Sequence, residues 1–118
     1  MLTHSLRQHA DYQRVYKAGR KQFAKHTAFF FALRAPDDSS PTPGPRIGLT
    51  VPKSLGKAVA RNRIKRRLRE AVRRALPLLT VPADVVLHPR TAVLTLPFAA
   101  IEQDVAEIFR TIQKRCSK

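Results

Sequence analysis

Cysteine is almost absent from this 118-residue sequence, since Cys116 is the only one. A single thiol excludes an internal disulfide and any metal site built from several thiolates. We therefore expect a reducing compartment, the cytoplasm, and an inert thiol near the end of the chain.

Long hydrophobic runs are also missing. The longest spans residues 28–33, whereas a membrane-spanning helix needs about 20 apolar residues. Polar residues interrupt the N-terminus at His4, Arg7, His9 and Asp11, so the apolar stretch of a secretory signal is absent. We expect no membrane span and no such signal.

Acidic residues are scarce: 8 Asp and Glu stand against 23 Lys and Arg, a net charge of +15. Such an excess repels itself unless a polyanion is bound, and nucleic acid is the favoured candidate because phosphate neutralisation releases counterions. An anionic membrane surface is the less favoured alternative. With 43% hydrophobic residues and no internal repeat, residues 1–118 are expected to form one domain.

The first half of the chain predicts one helix and two strands. Tyr12, Val15 and Tyr16 recur at helical spacing, with Gly19 as the end of the helix. The aromatic run 28–33 predicts a strand. Alternation across residues 47–51 predicts another. Between these strands, residues 36–45 hold four prolines and one glycine, which predicts a loop and therefore a hairpin.

The second half predicts a helix, a strand and a final helix. Apolar residues at helical spacing run from about Lys57 to Leu76, where Pro77 ends the helix. Residues 84–88 indicate a buried strand, and a second amphipathic helix follows Pro97. This order predicts an α/β sandwich with a sheet on one side and helices on the other.

The central helix is expected to carry a basic face opposite its apolar stripe. Nine Lys or Arg lie between residues 57 and 74, with Glu70 as the one acid. An ordinary solvated face would alternate signs four residues apart, but here Arg63 precedes Arg67 and Arg69 precedes Arg73. Arginine outnumbers lysine, which favours forked recognition of phosphates and bases.

Asn62, between two arginines, has two interpretations. Its amide suits a base edge or a ribose hydroxyl, and it equally suits the cap at the start of a helix.

Residues 45–53 (PRIGLTVPK) and 56–66 (GKAVARNRIKR) resemble the signature of the bacterial ribonuclease P protein family. The resemblance extends over nearly the whole chain, including Asp11-Tyr12, Val15-Tyr16 and Gly19. It implies a mixed four-stranded sheet packed by about three helices, with a left-handed central βαβ crossover. General rules alone favour a right-handed one.

The resemblance also implies a function. The family's protein subunit binds a catalytic RNA and the 5′ leader of precursor transfer RNA, and the holoenzyme removes that leader. The RNA holds the Mg²⁺ ions and performs the endonucleolytic hydrolysis, so no catalytic residue and no metal ligand is expected on the protein. No protein partner is evident.

Carried over onto this chain, the family's residues form two groups. The contacts to catalytic RNA are Lys53, Lys57, Arg61, Asn62, Arg63, Lys65, Arg66, Arg67 and Arg69. The leader cleft maps onto Tyr12, Tyr16 and Phe31. Two departures stand out: the family usually has Phe at both tyrosines, and Ser54 replaces one of two lysines.

The residues themselves leave parts of the cleft open. Tyr12 and Tyr16 share one helix face, where they either stack on unpaired bases or pack in the core. Phe29 and Phe31 point to one side of their strand and Phe30 to the other, and alternation does not say which side faces the cleft.

Two other functions fit the same charge pattern. A structured-RNA-binding protein, such as a ribosomal one, needs a similar basic helix. A sequence-specific DNA-binding module also uses an arginine helix, but no second helix is spaced for a helix-turn-helix. The histidines are scattered without metal-ligand spacing.

Overall fold

The computed structural model describes residues 9–19, 21–33 and 44–116. These contain three α-helices and four strands. In chain order they are α1 (His9–Ala18), β1 (Gln22–Phe23), β2 (Thr27–Leu33), β3 (Arg46–Leu49), α2 (Ala58–Ala75), β4 (Ala83–Pro89) and α3 (Phe98–Cys116). Short 3-10 turns occupy Lys53–Leu55, Leu76–Leu78 and Thr91–Leu94.

The four strands form one mixed sheet in the order β1-β2-β4-β3. β1 and β4 each pair antiparallel with β2, whereas β3 runs parallel to β4. The predicted mixed sheet with three helices is therefore confirmed. The hand of the β3–α2–β4 connection stays a prediction.

The predicted hairpin between β2 and β3 is wrong, because β4 lies between them. Leu87 of β4 is opposite Phe29 of β2 on one side and Leu49 of β3 on the other. Residues 83–87 are all buried. A strand buried on both faces belongs in the middle of a sheet, which explains why the later strand separates the two earlier ones.

α2 and α3 cover one face of the sheet. α2 begins after Lys57 and runs to Ala75, within a residue of its predicted bounds, and Pro77 lies in the 3-10 turn that follows. The buried stripes of the two helices pack against Phe29, Val85 and Leu87 in one core cluster. Those stripes comprise Ile64, Leu68, Ala71, Val72, Ala75, Ile101, Val105, Ile108, Phe109 and Ile112.

α1 packs on the opposite face, which we call the α1 face, so the prediction that the helices lie on one side of the sheet is wrong for α1. Val15, fully buried, contacts Ala32 and Val86 there. By strand alternation this face carries the even-numbered residues of β2, β3 and β4. A helix of 10 residues shields only part of a four-stranded sheet, so polar and aromatic side chains remain accessible beside it.

Candidate nucleic-acid interfaces

The solvent side of α2 forms a surface of uniform positive charge. We call it the basic helix surface, and it consists of Lys57, Asn62, Arg63, Lys65, Arg66 and Arg69. Lys65 is half-buried and the others are exposed. Across the part of the chain that the structure describes, these six side chains make no hydrogen bond or ion pair. Lys53 is also exposed, in the 3-10 turn before the helix.

Two grooves flank Val59, an apolar side chain that is 82% exposed within this surface. One, of about 640 Å³, is lined by Lys57, Val59, Ala60, Arg63, Leu94 and Thr95. The other, of about 540 Å³, is lined by Val59, Asn62, Lys65, Arg66 and Arg69. The cationic side chains thus border two depressions in the surface beside α2.

Two arginines of the same helix are engaged within the protein. Arg61 donates from Nε to the Gly56 carbonyl at 3.2 Å. Arg67 donates to the carbonyl of Leu94 at 2.8 Å and to that of Leu96. Arg67 therefore joins α2 to the turn before α3, and its contact with RNA stays a prediction.

The last turns of α2 lose their positive character. Glu70 forms ion pairs with Arg73 and Arg74. Hydrogen bonds from Arg73 and then Arg74 lower the pKa of Glu70 to about 2. Arg74 Nη1 also lies 3.6 Å from Glu102 Oε2, and Arg74 Cζ lies 5.0 Å from the centroid of the Phe98 ring. The mixed-sign pattern of an ordinary solvated face occurs here, so the unpaired charge of α2 lies before Glu70.

Asn62 is the fifth residue of α2, whose cap position is Lys57. The interpretation of Asn62 as a helix cap is therefore wrong. Its side chain is exposed among the arginines, where base or ribose contact stays the prediction.

On the α1 face, aromatic rings gather beside α1. We call this site the aromatic cleft, and it consists of Tyr12, Tyr16, Phe30, Thr50 and His88. The Tyr16 hydroxyl lies 3.1 Å from Thr50 Oγ1 and 3.0 Å from His88 Nε2. The Phe30 ring meets Tyr16 edge-on with centroids 5.0 Å apart. These contacts hold the Tyr16 ring in one orientation.

Tyr12 lies directly over Gly48 of β3. A Cβ at Gly48 would come within 2.4 Å of the Tyr12 hydroxyl oxygen, so glycine is what admits the ring. Burial raises the pKa of Tyr12 and the neighbouring Tyr16 adds to the shift, while a hydrogen bond with the Leu49 backbone opposes it. The hydroxyl stays neutral near pH 7, and the ring is half-buried against the sheet.

Phe31 does not lie with the tyrosines, which corrects its placement in the cleft. It packs against the core under α2 and α3, stacked on Phe29 with ring centroids 6.3 Å apart. Phe30 takes the place beside Tyr16. Strand alternation alone did not decide whether Phe30 or the pair Phe29 and Phe31 faces the cleft. In the structure the even-numbered residues of β2 face α1, so Phe30 lies in the cleft.

A buried carboxylate anchors α1, and sequence reasoning missed it. Asp84 is 0% exposed and accepts from Arg46 Nε at 2.8 Å and Arg46 Nη2 at 2.7 Å. Arg14 of α1 also donates to it. The sequence did contain a sign of this ion pair, because Asp84 lies near the start of an otherwise apolar strand. A charged side chain is buried in a sheet only when it is paired.

His88 is the titratable group of the aromatic cleft. Burial lowers its pKa below the ordinary 6.5, and the positive charge of Lys21 lowers it further. The neutral ring is thus the form that contacts Tyr16.

Three of the acids are engaged within the protein. Glu70 and Asp84 are held by arginines, and Asp104 accepts backbone N–H groups of Lys25 at 2.9 Å and His26 at 3.1 Å. Among residues 9–19, 21–33 and 44–116, no three His, Cys, Asp or Glu side chains are grouped to hold a metal.

No helix among the described residues is both long enough and apolar enough to span a bilayer.

Comparison with known proteins matches this chain along almost its full length. The Ribonuclease P family model matches residues 2–113. The ribonuclease P protein component of Symbiobacterium thermophilum is 39% identical over 104 residues, covering 88% of this chain and 86% of that protein. That of Gluconacetobacter diazotrophicus is 40% identical, covering 94% and 90%. The structure of Staphylococcus aureus RNase P protein superimposes with a TM-score of 0.74 at 25% identity, covering 96% and 97%.

Proposed function

Because the chain belongs to the ribonuclease P protein family, we propose that it binds ribonuclease P RNA through the basic helix surface and the leader of precursor transfer RNA in the aromatic cleft. The protein contributes binding and orientation to removal of the 5′ leader. The catalytic RNA supplies the Mg²⁺ and the hydrolysis. The protein acts in the cytoplasm as the partner of that RNA.

The observation that carries the proposal is the unpaired charge on α2. A guanidinium held within the protein, such as that of Arg67, has little left to offer a ligand. Arg63, Arg66 and Arg69 instead project into solvent, each able to bind phosphate oxygens through two parallel N–H groups. Their binding releases condensed counterions, so affinity for a folded RNA is high and salt-dependent.

The aromatic cleft supports binding of unpaired nucleotides. Bases of a duplex are stacked on one another, whereas an unpaired base can stack on an aromatic side chain. Tyr16 is already oriented by Thr50 and His88. A nucleotide entering the cleft therefore loses its own freedom without the added cost of ordering the ring. A leader present in the precursor and absent from the product gives the protein a basis for distinguishing them.

Reconstitution tests the proposal. The protein is added to bacterial ribonuclease P RNA at low Mg²⁺, and cleavage of 5′-labelled precursor transfer RNA is followed. We expect stimulation that requires both components and no cleavage by the protein alone. RNA alone at high Mg²⁺ is the control for an active ribozyme.

Three outcomes would contradict it. Cleavage that scales with purified protein in the absence of RNA would move the chemistry onto the protein. A folded protein that fails to stimulate an active RNA would favour a structured-RNA-binding role elsewhere, which co-purification with ribosomal subunits would support. A preference for duplex DNA over folded RNA would favour the DNA-binding alternative.

A further inference from the structure

Phe23 is an exposed aromatic side chain that the proposed sites leave unexplained. It lies on the two-residue edge strand β1 and is 63% exposed. Two cations lie over its ring: Lys21 Nζ is 5.6 Å and Arg90 Cζ 5.7 Å from the ring centroid. An aromatic ring in contact with two cations, on a protein of net charge +15, matches the composition of sites that bind single-stranded nucleic acid.

Strand pairing places Phe23 on the α1 face, in line with the aromatic cleft. Phe23 is opposite Ala28 of β2, and Ala28 is opposite His88 of β4. Residues opposite each other in a ladder share a face, so Phe23 and His88 lie two strand spacings apart, about 10 Å. Ala28, which lies between them in this row, has a small side chain and is buried.

The positive charge of Lys21 acts on both Phe23 and the aromatic cleft. Its charge contributes to the lowered pKa of His88, and its ammonium also lies over Phe23. Positive potential therefore extends from the edge strand into the cleft. A chain of phosphates that leaves the cleft along this row of the sheet meets cations rather than acids.

We propose that Phe23, Lys21 and Arg90 form a second subsite, in which one unpaired base of the leader outside the aromatic cleft stacks on the Phe23 ring while the two cations contact its flanking phosphates. This rests on the proposed leader binding. Lys21 has a flexible stem, so its ammonium can leave the ring for a phosphate and open that ring face to a base. The planar Arg90 group contacts the phosphate through paired N–H groups.

The test measures equilibrium binding of transfer RNA by the reconstituted holoenzyme. Its substrates are mature transfer RNA and precursors whose leaders are shortened one nucleotide at a time. Phe23→Ala is compared with Phe23→Trp, which keeps a stacking face, and with Phe23→Leu, which keeps apolar bulk without one. Leu33→Ala is the matched control, because Leu33 is another exposed apolar residue, at 49%, and offers no aromatic face.

We expect Phe23→Ala and Phe23→Leu to weaken precursor binding about five- to tenfold, as removal of one stacked base predicts. Mature transfer RNA should bind unchanged, Phe23→Trp should restore precursor affinity, and Leu33→Ala should behave as the parent. The weakening should vanish once the leader is too short to reach Phe23. Thermal unfolding of each free protein checks folding, and Phe23→Leu carries the test if the alanine variant is unstable.

Equal weakening for precursor and mature transfer RNA would overturn the subsite, and so would unchanged binding with either variant. Tyr16→Ala separates this failure from that of the leader cleft. If Tyr16→Ala weakens precursor binding and the Phe23 variants do not, the cleft stands and the subsite falls. If neither site affects precursor binding, leader binding on the α1 face falls as well.

Discussion

The basic helix surface and the aromatic cleft hold their side chains in opposite ways. Arg63, Arg66 and Arg69 extend from a rigid helix and make no hydrogen bonds with the rest of the described chain. Tyr16 is fixed by hydrogen-bond partners on two segments, Thr50 just after β3 and His88 of β4. The first arrangement suits a ligand whose charge is spread along a backbone, and the second suits a flat base in one orientation. The difference predicts how salt affects each.

Arginine itself shows that position decides the role. Arg46 binds a buried carboxylate, Arg67 binds two backbone carbonyls, and Arg66 lies open on the same helix as Arg67. The side chain is identical in each case, and what differs is whether an acceptor from another segment lies within reach. Counting arginines therefore overstates the surface available to RNA.

The largest effect is expected from removing unpaired charge on α2. Arg63, Arg66 and Arg69 changed together to Ala should weaken binding to ribonuclease P RNA by about a hundredfold or more, since charge-assisted bonds are the strong ones. The slope of log affinity against log salt should fall by roughly 0.7–0.9 for each phosphate that the variant no longer neutralises. Filter binding across a salt series measures both the affinity and the slope.

The matched control removes the same charge elsewhere. Arg73, Arg74 and Arg110 changed to Ala also lower the net charge by three, but the first two are paired with Glu70. We expect a much smaller change in slope. Equal slopes for the two triple variants would mean that total charge, rather than the basic helix surface, determines binding.

The next effect tests the cleft. Tyr16→Ala should weaken precursor binding by the holoenzyme about tenfold and leave mature transfer RNA unchanged, because a stacking face is removed. The salt slope should stay the same. Tyr16→Phe is the control that keeps the ring and removes the hydroxyl that bonds Thr50 and His88, so it should weaken binding less. Equal weakening for both substrates would remove the leader from this cleft.

A third prediction separates Arg67 from its neighbours on α2. Arg67→Ala should lower the free energy of unfolding by about 1–3 kcal/mol, because two partly buried carbonyls are left without their donor. Arg67→Ala should change the slope of log RNA affinity against log salt less than Arg66→Ala does. Urea unfolding of the free protein measures the stability. An unchanged free energy of unfolding would show that the bonds to Leu94 and Leu96 do not stabilise the protein. Arg67 would then be assigned to the RNA-binding surface.

The smallest effect concerns pH. The pKa of His88 is lowered in the folded protein, so below about pH 6.5 the unfolded chain binds protons that folded His88 does not. The free energy of unfolding should therefore fall as pH drops from about 6.5 through the folded-state pKa. This group should not affect it at pH values well above about 6.5. His88→Gln should flatten that part of the profile. A profile that His88→Gln leaves unaltered would contradict this.

Local periodicity was enough to predict α2, its buried stripe and its basic face. Each depends on residues three or four positions apart, so the helix alone defines them. The family signature then indicated the mixed sheet. Strand order was beyond the reach of local pattern, because β4 pairs with segments more than thirty residues earlier.

The aromatic cleft was predicted less completely, and the reason is again non-local. Alternation in β2 separates Phe30 from Phe29 and Phe31, but only α1 docking decides which set faces the cleft. That docking depends on Gly48, which admits Tyr12, and on Asp84, which binds Arg14. Neither residue carries a local signal of its partner.

Site-directed crosslinking tests the division of the two surfaces most directly. A photoreactive group is attached to a cysteine at Asn62→Cys or at Thr50→Cys, in a Cys116→Ser background, and the holoenzyme is assembled with labelled precursor transfer RNA. We predict that position 62 crosslinks to ribonuclease P RNA and position 50 to the leader. Crosslinks from position 50 to ribonuclease P RNA alone, or from position 62 to the leader alone, would contradict the account.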